Sequence, residues 1–142
     1  MASVAPAATP AWFRIVALVA IVWNAFGVVM YLSSVGMFGD PLQGLSDAER
    51  AIASGIPASI TAAFAIGTFA GLAGSLGLVL GRRWAWPLLL LSLVALLILE
   101  CWIVFLSRAV ELHGIAVPVA VTVGALLLAW LAYHARERGW LR

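Results

Sequence analysis

The chain reads as an all-α integral membrane protein: a four-helix bundle with both termini cytoplasmic and a short external amphipathic helix between the first and second spans. Three observations predict this. Four long apolar runs, at roughly 12–36, 57–80, 84–107 and 114–134, fill most of the 142 residues. Each meets the ~20 helical residues needed to cross a hydrocarbon core about 30 Å thick. Apolar residues make up 65% of the chain and charged ones 10%, whereas a soluble domain carries roughly 25% charged residues. The arginines, finally, cluster at alternate ends of the runs.

This composition excludes soluble enzymes, nucleic-acid binders and disordered proteins. The net charge of +2 is small and divided between the chain ends, so no nucleic-acid partner is expected. The expected partners are the lipid bilayer and either further copies of the chain or a larger membrane complex. Cys101 is the single cysteine, which rules out an internal disulfide, a CxxC pair and a thiolate metal cage. With so little chain outside the apolar runs, residues 1–142 are read as one four-span membrane domain. The first run is longer than the about 7–15 residues of a signal-peptide core, and no basic residue precedes Arg14. A small-residue cleavage pattern is conceivable at Ser33-Ser34-Val35, but the segment is taken as the first span.

Asn24 sits near the middle of that span and needs a hydrogen-bond partner in hydrocarbon; Thr68 on the second span lies at about the matching depth. The loop at about 37–56 contains Ser46-Asp47-Ala48-Glu49, a capping-box pattern. It predicts a short helix over about 47–54, ended by Gly55 and Pro57, with Ala48, Ala51 and Ile52 turned toward the membrane. In the second span Ala63, Gly67, Gly71 and Ser75 recur every four residues, with Gly74 and Gly77 in a second row. Such rows let helix backbones approach closely in lipid, where van der Waals contact drives association. Either the first span of the same chain or the second span of another copy could fill the groove. Ala120, Gly124 and Leu128 repeat the pattern more weakly in the fourth span.

The third span begins with Pro87 and the fourth with Pro118 in their first turns, where a missing N–H is tolerated. Ser92 is expected to bond its own helix. Glu100 is the one acid inside a span, about one and a half to two turns from the external end. A charge at membrane depth costs at least ~2.5–3.5 kcal/mol and faces an interior or a cavity. A carboxyl that exchanges a proton there is what a proton-coupled carrier uses; the alternatives are a reach toward Arg108 or headgroups, or a hydrogen bond to a neighbouring helix. Depth matching places Tyr31, Thr61, Phe64 and Thr122 near Glu100, a candidate polar pocket in the outer half of the bundle. Asn24 and Thr68 form a secondary polar pair.

Orientation follows from charge. The 81–83 turn carries Arg82 and Arg83, the tail carries Arg136, Arg138 and Arg142, and Arg14 opens the first span. The first loop is acidic, with Asp40, Asp47 and Glu49 against Arg50, and the third balances Arg108 with Glu111. Positive residues are retained in the cytoplasm, giving an N-in, C-in topology. Trp12, Trp84, Trp86 and Trp140 then fall at the cytoplasmic interface as anchors. His113 and His134 lie at opposite ends of the fourth span and cannot share a ligand. No metal, cofactor or catalytic motif is expected, so the chain is not read as an enzyme.

Trp23-Asn24 with Gly27, Glu49-Arg50 before Pro57, Gly71-Leu72-Ala73-Gly74-Ser75, Arg83-Trp84-Ala85, Ser92-Leu93 and Arg138-Gly139-Trp140-Leu141 together resemble a family of small four-span bacterial membrane proteins often labelled "sugar transporter". The resemblance runs over nearly the whole chain and implies transport across the bacterial inner (cytoplasmic) membrane, with no defined mechanism. Two departures stand out: Ala58-Ser59 where family members carry an aromatic, and Glu100, which is no hallmark of the family. The reading is therefore a transporter-like protein, moving a small solute or linked to protons as a homo-oligomer, substrate unassigned. The alternative is a non-catalytic accessory or structural subunit of a larger membrane complex.

Overall fold

A computed structural model of the chain describes residues 9–142. Six helices follow in order: α1 (Ala11–Ser34), α2 (Asp47–Ser54), α3 (Ala58–Val79), α4 (Ala85–Phe105), α5 (Ala109–His113) and α6 (Ala116–Glu137). Among the described residues, α1, α3, α4 and α6 are long and apolar enough to cross a membrane. The fourth span runs three residues beyond the expected 134, and the first stops two short of 36. The end of α3 is set by Gly81, whose φ of +64° closes the helix with Arg82 N–H on Gly77 C=O and Gly81 N–H on Leu78 C=O. Gly139, at φ +71°, repeats the same paired closure at the end of α6.

The four long helices lie side by side in the order α1, α3, α4, α6. Half of the most apolar stretch of α3 is buried, against 22–28% for the other three, so α3 is the axis of the assembly. Its small residues explain why. Side chains of α4 settle directly on its backbone: a Cβ added to Gly67 would stand 2.8 Å from Leu96, one at Gly74 2.6 Å from Leu89, and one at Gly77 2.7 Å from Trp84. One added to Gly71 would collide with Asn24 of α1 and Ser92 of α4. Ala63, Gly67, Gly71, Gly74 and Ser75 are all buried. The small-residue rows are thus filled within one chain, by α4 and α1 together, and are not an open seam for a second copy.

The large apolar side chains point the other way. Ile15, Leu18, Val19, Val22 and Phe26 on α1, Leu91, Val94 and Ile98 on α4, and Leu127 and Trp130 on α6 are exposed. Small residues inside and large apolar ones outside is the arrangement lipid solvation allows, and helices satisfy their own backbone in it. The fold is that of a small multi-pass membrane protein.

One end of the bundle is closed by an apolar plug. Leu141 is 1% exposed and packs with Phe13, Ala17, Leu78, Leu131 and Ala135. It is held by backbone bonds from Arg142 N–H to Gly81 C=O (2.6 Å) and from Arg83 N–H to Arg142 C=O (3.0 Å). Both the start of α1 and the 139–142 segment therefore meet at the α3–α4 turn. Trp140 makes edge contacts with Trp12 and Phe13, and Arg136 lies over the Trp86 ring at 5.1 Å.

The opposite end differs more from expectation. The capping box forms as read: the Ser46 hydroxyl accepts from Glu49 N–H (3.4 Å) and Ser46 N–H donates to Glu49 Oε2 (2.9 Å). Ala48 and Ala51 are exposed, and the less exposed positions of α2 are Glu49, Ile52 and Ala53. Glu49 reaches α5, where its Oε1 lies 3.2 Å from His113 Nε2. Ser46 side-chain and backbone hydrogen bonds hold the Glu49 carboxyl below its ordinary value, and His113 adds to the effect. His113 thus belongs to the separate helix α5, not to the fourth span. Arg108 precedes α5 in the left-handed region (φ 58°), and Ser107 caps it by accepting from Ala109 N–H.

The packing yields a direct test. Gly74→Ala forces Leu89 aside and should cost about 1–3 kcal/mol of unfolding free energy in detergent. Gly124→Ala, whose new methyl would approach only the Trp23 indole nitrogen at 3.9 Å, should stay within about 0.5 kcal/mol of the parent. Equal effects would contradict the packing described.

Candidate functional site

The buried polar groups divide into a satisfied seam and one unsatisfied acid. In the seam, Asn24 Nδ2 donates to Ala20 C=O (2.9 Å) within α1 and to Ser75 Oγ (3.1 Å) across to α3. Ser75 Oγ in turn donates to Gly71 C=O (2.8 Å). Beside it, from α4, Ser92 Oγ donates to Gly67 C=O (2.6 Å). The absence of side chains at Gly67 and Gly71 leaves the α3 carbonyls reachable from α4 and makes room for the Asn24 amide.

Two expectations are corrected here. Asn24 pairs with Ser75, not Thr68, which returns its hydroxyl to Phe64 and Ala65 C=O of its own helix. Gly27, one turn further along α1, is the residue that meets Thr68. The antiparallel register of α1 against α3 is therefore set by where a helix without a side chain at position 27 fits the Thr68 methyl. Ser92 bonds across to α3 instead of back to its own helix, because Gly67 brings an α3 carbonyl within its reach.

Glu100 is 8% exposed, and its Oε2 is buried without a hydrogen-bond partner among the described residues. It stands five residues before the end of α4 at Phe105. Eleven residues separate it from Leu89, which places the two within about 20° around the helix axis. Glu100 thus shares the inner face of α4, where Leu89 packs on Gly74 and borders a narrow groove between α1, α4 and α6. That groove, edged by Trp23, Asn24, Ser92 and Leu96, encloses about 10 Å³, room for a single water at most.

The side chains expected around Glu100 do not join it in hydrogen bonds. Tyr31 stacks edge-on against Phe64 (5.6 Å) and Phe69 (5.9 Å). Thr61 Oγ1 faces Pro57 C=O of its own first turn at 3.5 Å. Thr122 is half-buried on α6. Arg108 makes no ion pair with Glu100; among the described residues the sole ion pair is Glu49 with His113. His134 stacks on Trp130 at 5.3 Å, and no cluster of three metal-ligating side chains occurs among the described residues.

Sequence reasoning found Asn24, Ser75 and Glu100 but missed the inter-helix role of Ser92. Its signal was available: a serine whose antiparallel partners on the neighbouring helix are Gly67 and Gly71. Comparison with protein-family models, curated proteins and solved structures finds no match to this chain.

A buried carboxyl oxygen without a partner costs stability, about 1–3 kcal/mol for such a group. Glu100→Leu should therefore raise the unfolding free energy by a similar amount, measured by denaturant titration in detergent. A marked loss of stability would show that Glu100 is held by a partner.

Proposed function

We propose that this is a transporter-like protein in which Glu100 exchanges a proton as a small solute crosses the membrane, and that it works as a homo-oligomer. The observation that carries the proposal is the acid itself. An intramembrane carboxyl with a buried, unpartnered oxygen lowers stability, a cost that a leucine at the same position would not carry. The chemistry such a group offers is reversible proton uptake, and nothing else on α4 competes for that role. The filled interior argues that any solute path runs along a contact between copies, since one copy encloses about 10 Å³ beside Asn24 and Ser92. The resemblance to small four-span bacterial proteins labelled as transporters supports the same reading and, with it, a place in the bacterial inner membrane.

For orientation, Arg14, Arg82, Arg83 and Arg142 lie at the end where α1 starts and the α3–α4 turn meets the 139–142 segment. Arginine retention on the inner side supports placing that end in the cytoplasm, with α2 and α5 outside.

A second reading, a non-catalytic subunit of a larger membrane complex, is favoured by the same filled interior. The two separate in one preparation. Purified protein in proteoliposomes with an entrapped pH dye, challenged with a panel of neutral and acidic small solutes, should show solute-dependent proton entry. In Glu100→Gln that flux should fall at least ten-fold with folding preserved. Equal flux in parent and variant removes the proton role of Glu100. No flux with any solute, together with partner chains that co-purify in mild detergent, favours the subunit reading.

A further inference from the structure

A second polar feature lies at the opposite end of the bundle from Glu100 and plays no part in the proposal above. Between the start of α1, the α3–α4 turn and the 139–142 segment opens a cleft of about 350 Å³. Arg14, Arg82 and Arg142 line it, with Thr9, Gly81 and Trp140. Two other arginines of this end are engaged: Arg83 Nε donates to Leu141 C=O and Arg136 lies over Trp86. The side chains of Arg14, Arg82 and Arg142 make no hydrogen bond or ion pair among the described residues. Three arginines thus line one concavity, and no acidic side chain among the described residues lines it with them.

We propose that this cleft binds the phosphate of an anionic glycerophospholipid headgroup. The shared chemistry is a phosphate anion, which guanidinium forks bind through paired N–H donors. Thr9 lies just before α1 begins at Ala11, so the positive end of that helix dipole also borders the cleft. Two features select a lipid over a soluble phosphate. The first is level: Trp12, Trp84 and Trp140 mark this end as the headgroup zone, and Trp12 and Trp84 are 49% and 43% exposed. The second is the wall below the arginines, where Val79 and Leu80 line the cleft and remain exposed. A soluble phosphate has no use for that apolar flank, whereas a lipid would lay its glycerol and upper acyl carbons along it. Basic pockets between membrane helices recognise lipid headgroups in this way.

The backbone of this region is fixed by the 81–83 and 142 hydrogen bonds, none of which uses the side chains of Arg82 or Arg142. Arg82→Gln with Arg142→Gln therefore removes charge and leaves the fold intact, to be checked by an unchanged melting temperature in phosphatidylcholine micelles. The parent, delipidated and titrated with phosphatidylglycerol, should gain thermal stability and carry one bound lipid in native mass spectra, with phosphatidylcholine giving neither. Each arginine removed should weaken phosphatidylglycerol binding about five-fold, so roughly 25-fold in the double variant. Arg138→Gln, which does not line the cleft, should bind as the parent does. Stabilisation by inorganic phosphate or glycerol 3-phosphate equal to that by phosphatidylglycerol overturns the lipid assignment. Unaltered phosphatidylglycerol binding in the double variant, or equal binding of phosphatidylcholine, overturns the site.

Discussion

The close approach of α3 to its neighbours is the constraint on which the rest of this fold depends. In water a bundle is driven together by burying large apolar side chains. In lipid that force is absent, because an acyl chain solvates leucine as well as another leucine does. What remains is contact between backbones and the few hydrogen bonds that contact permits. Gly67, Gly71, Gly74 and Gly77 provide the first, and Leu96 and Leu89 of α4, with Trp84 just before it, fill the space they leave. Asn24, Ser75 and Ser92 provide the second, and Asn24 and Ser92 need the bareness of α3 to reach their partners. Packing and polar satisfaction are thus one arrangement viewed twice, and a methyl group at Gly71 would disturb both.

That coupling explains what could be read from the chain and what could not. Span number and approximate limits followed from hydropathy, since length and apolarity are local properties. The capping box at Ser46 and Glu49 was equally local. The contact of Glu49 with His113 was not, for it joins residues more than sixty positions apart and depends on a short helix that a five-residue segment hardly announces. Depth counting placed Asn24 near Thr68, but a count cannot fix the register of two helices to better than about a turn. Gly27 against Thr68 decides it. The small-residue rows told that α3 would be packed tightly, with the first span or another copy as the expected partner; α4 proved to be the main one. The fold-back of Leu141 left no periodic signal at all, being a single apolar residue in an arginine-rich tail.

The candidate site was legible to a lesser degree. Glu100 was conspicuous as the acid inside a span, and it is buried with an unpartnered oxygen. Its imagined company was not, since Tyr31 turned to phenylalanine rings and Thr61 to its own helix. Polar side chains in a span have two ways to be satisfied, locally or across an interface, and the choice is made by neighbours that composition does not reveal. The two ends of the molecule are consequently unlike in chemistry. One holds an isolated carboxyl near a loop-rich surface, and the other gathers unpaired arginines around an open cleft.

The most direct measurement of the central claim asks whether α1 packs on the α3 of its own chain in the stated register. A Cβ at position 27 lies 3.9 Å from the Thr68 Cβ, inside the about 3.5–4.5 Å range of disulfides. In a Cys101→Ser background, Gly27→Cys with Thr68→Cys should oxidise in native membranes to an intramolecular cross-link that runs at monomer size. Thiols that stay free to alkylation, or a cross-link found only between chains, would contradict the account.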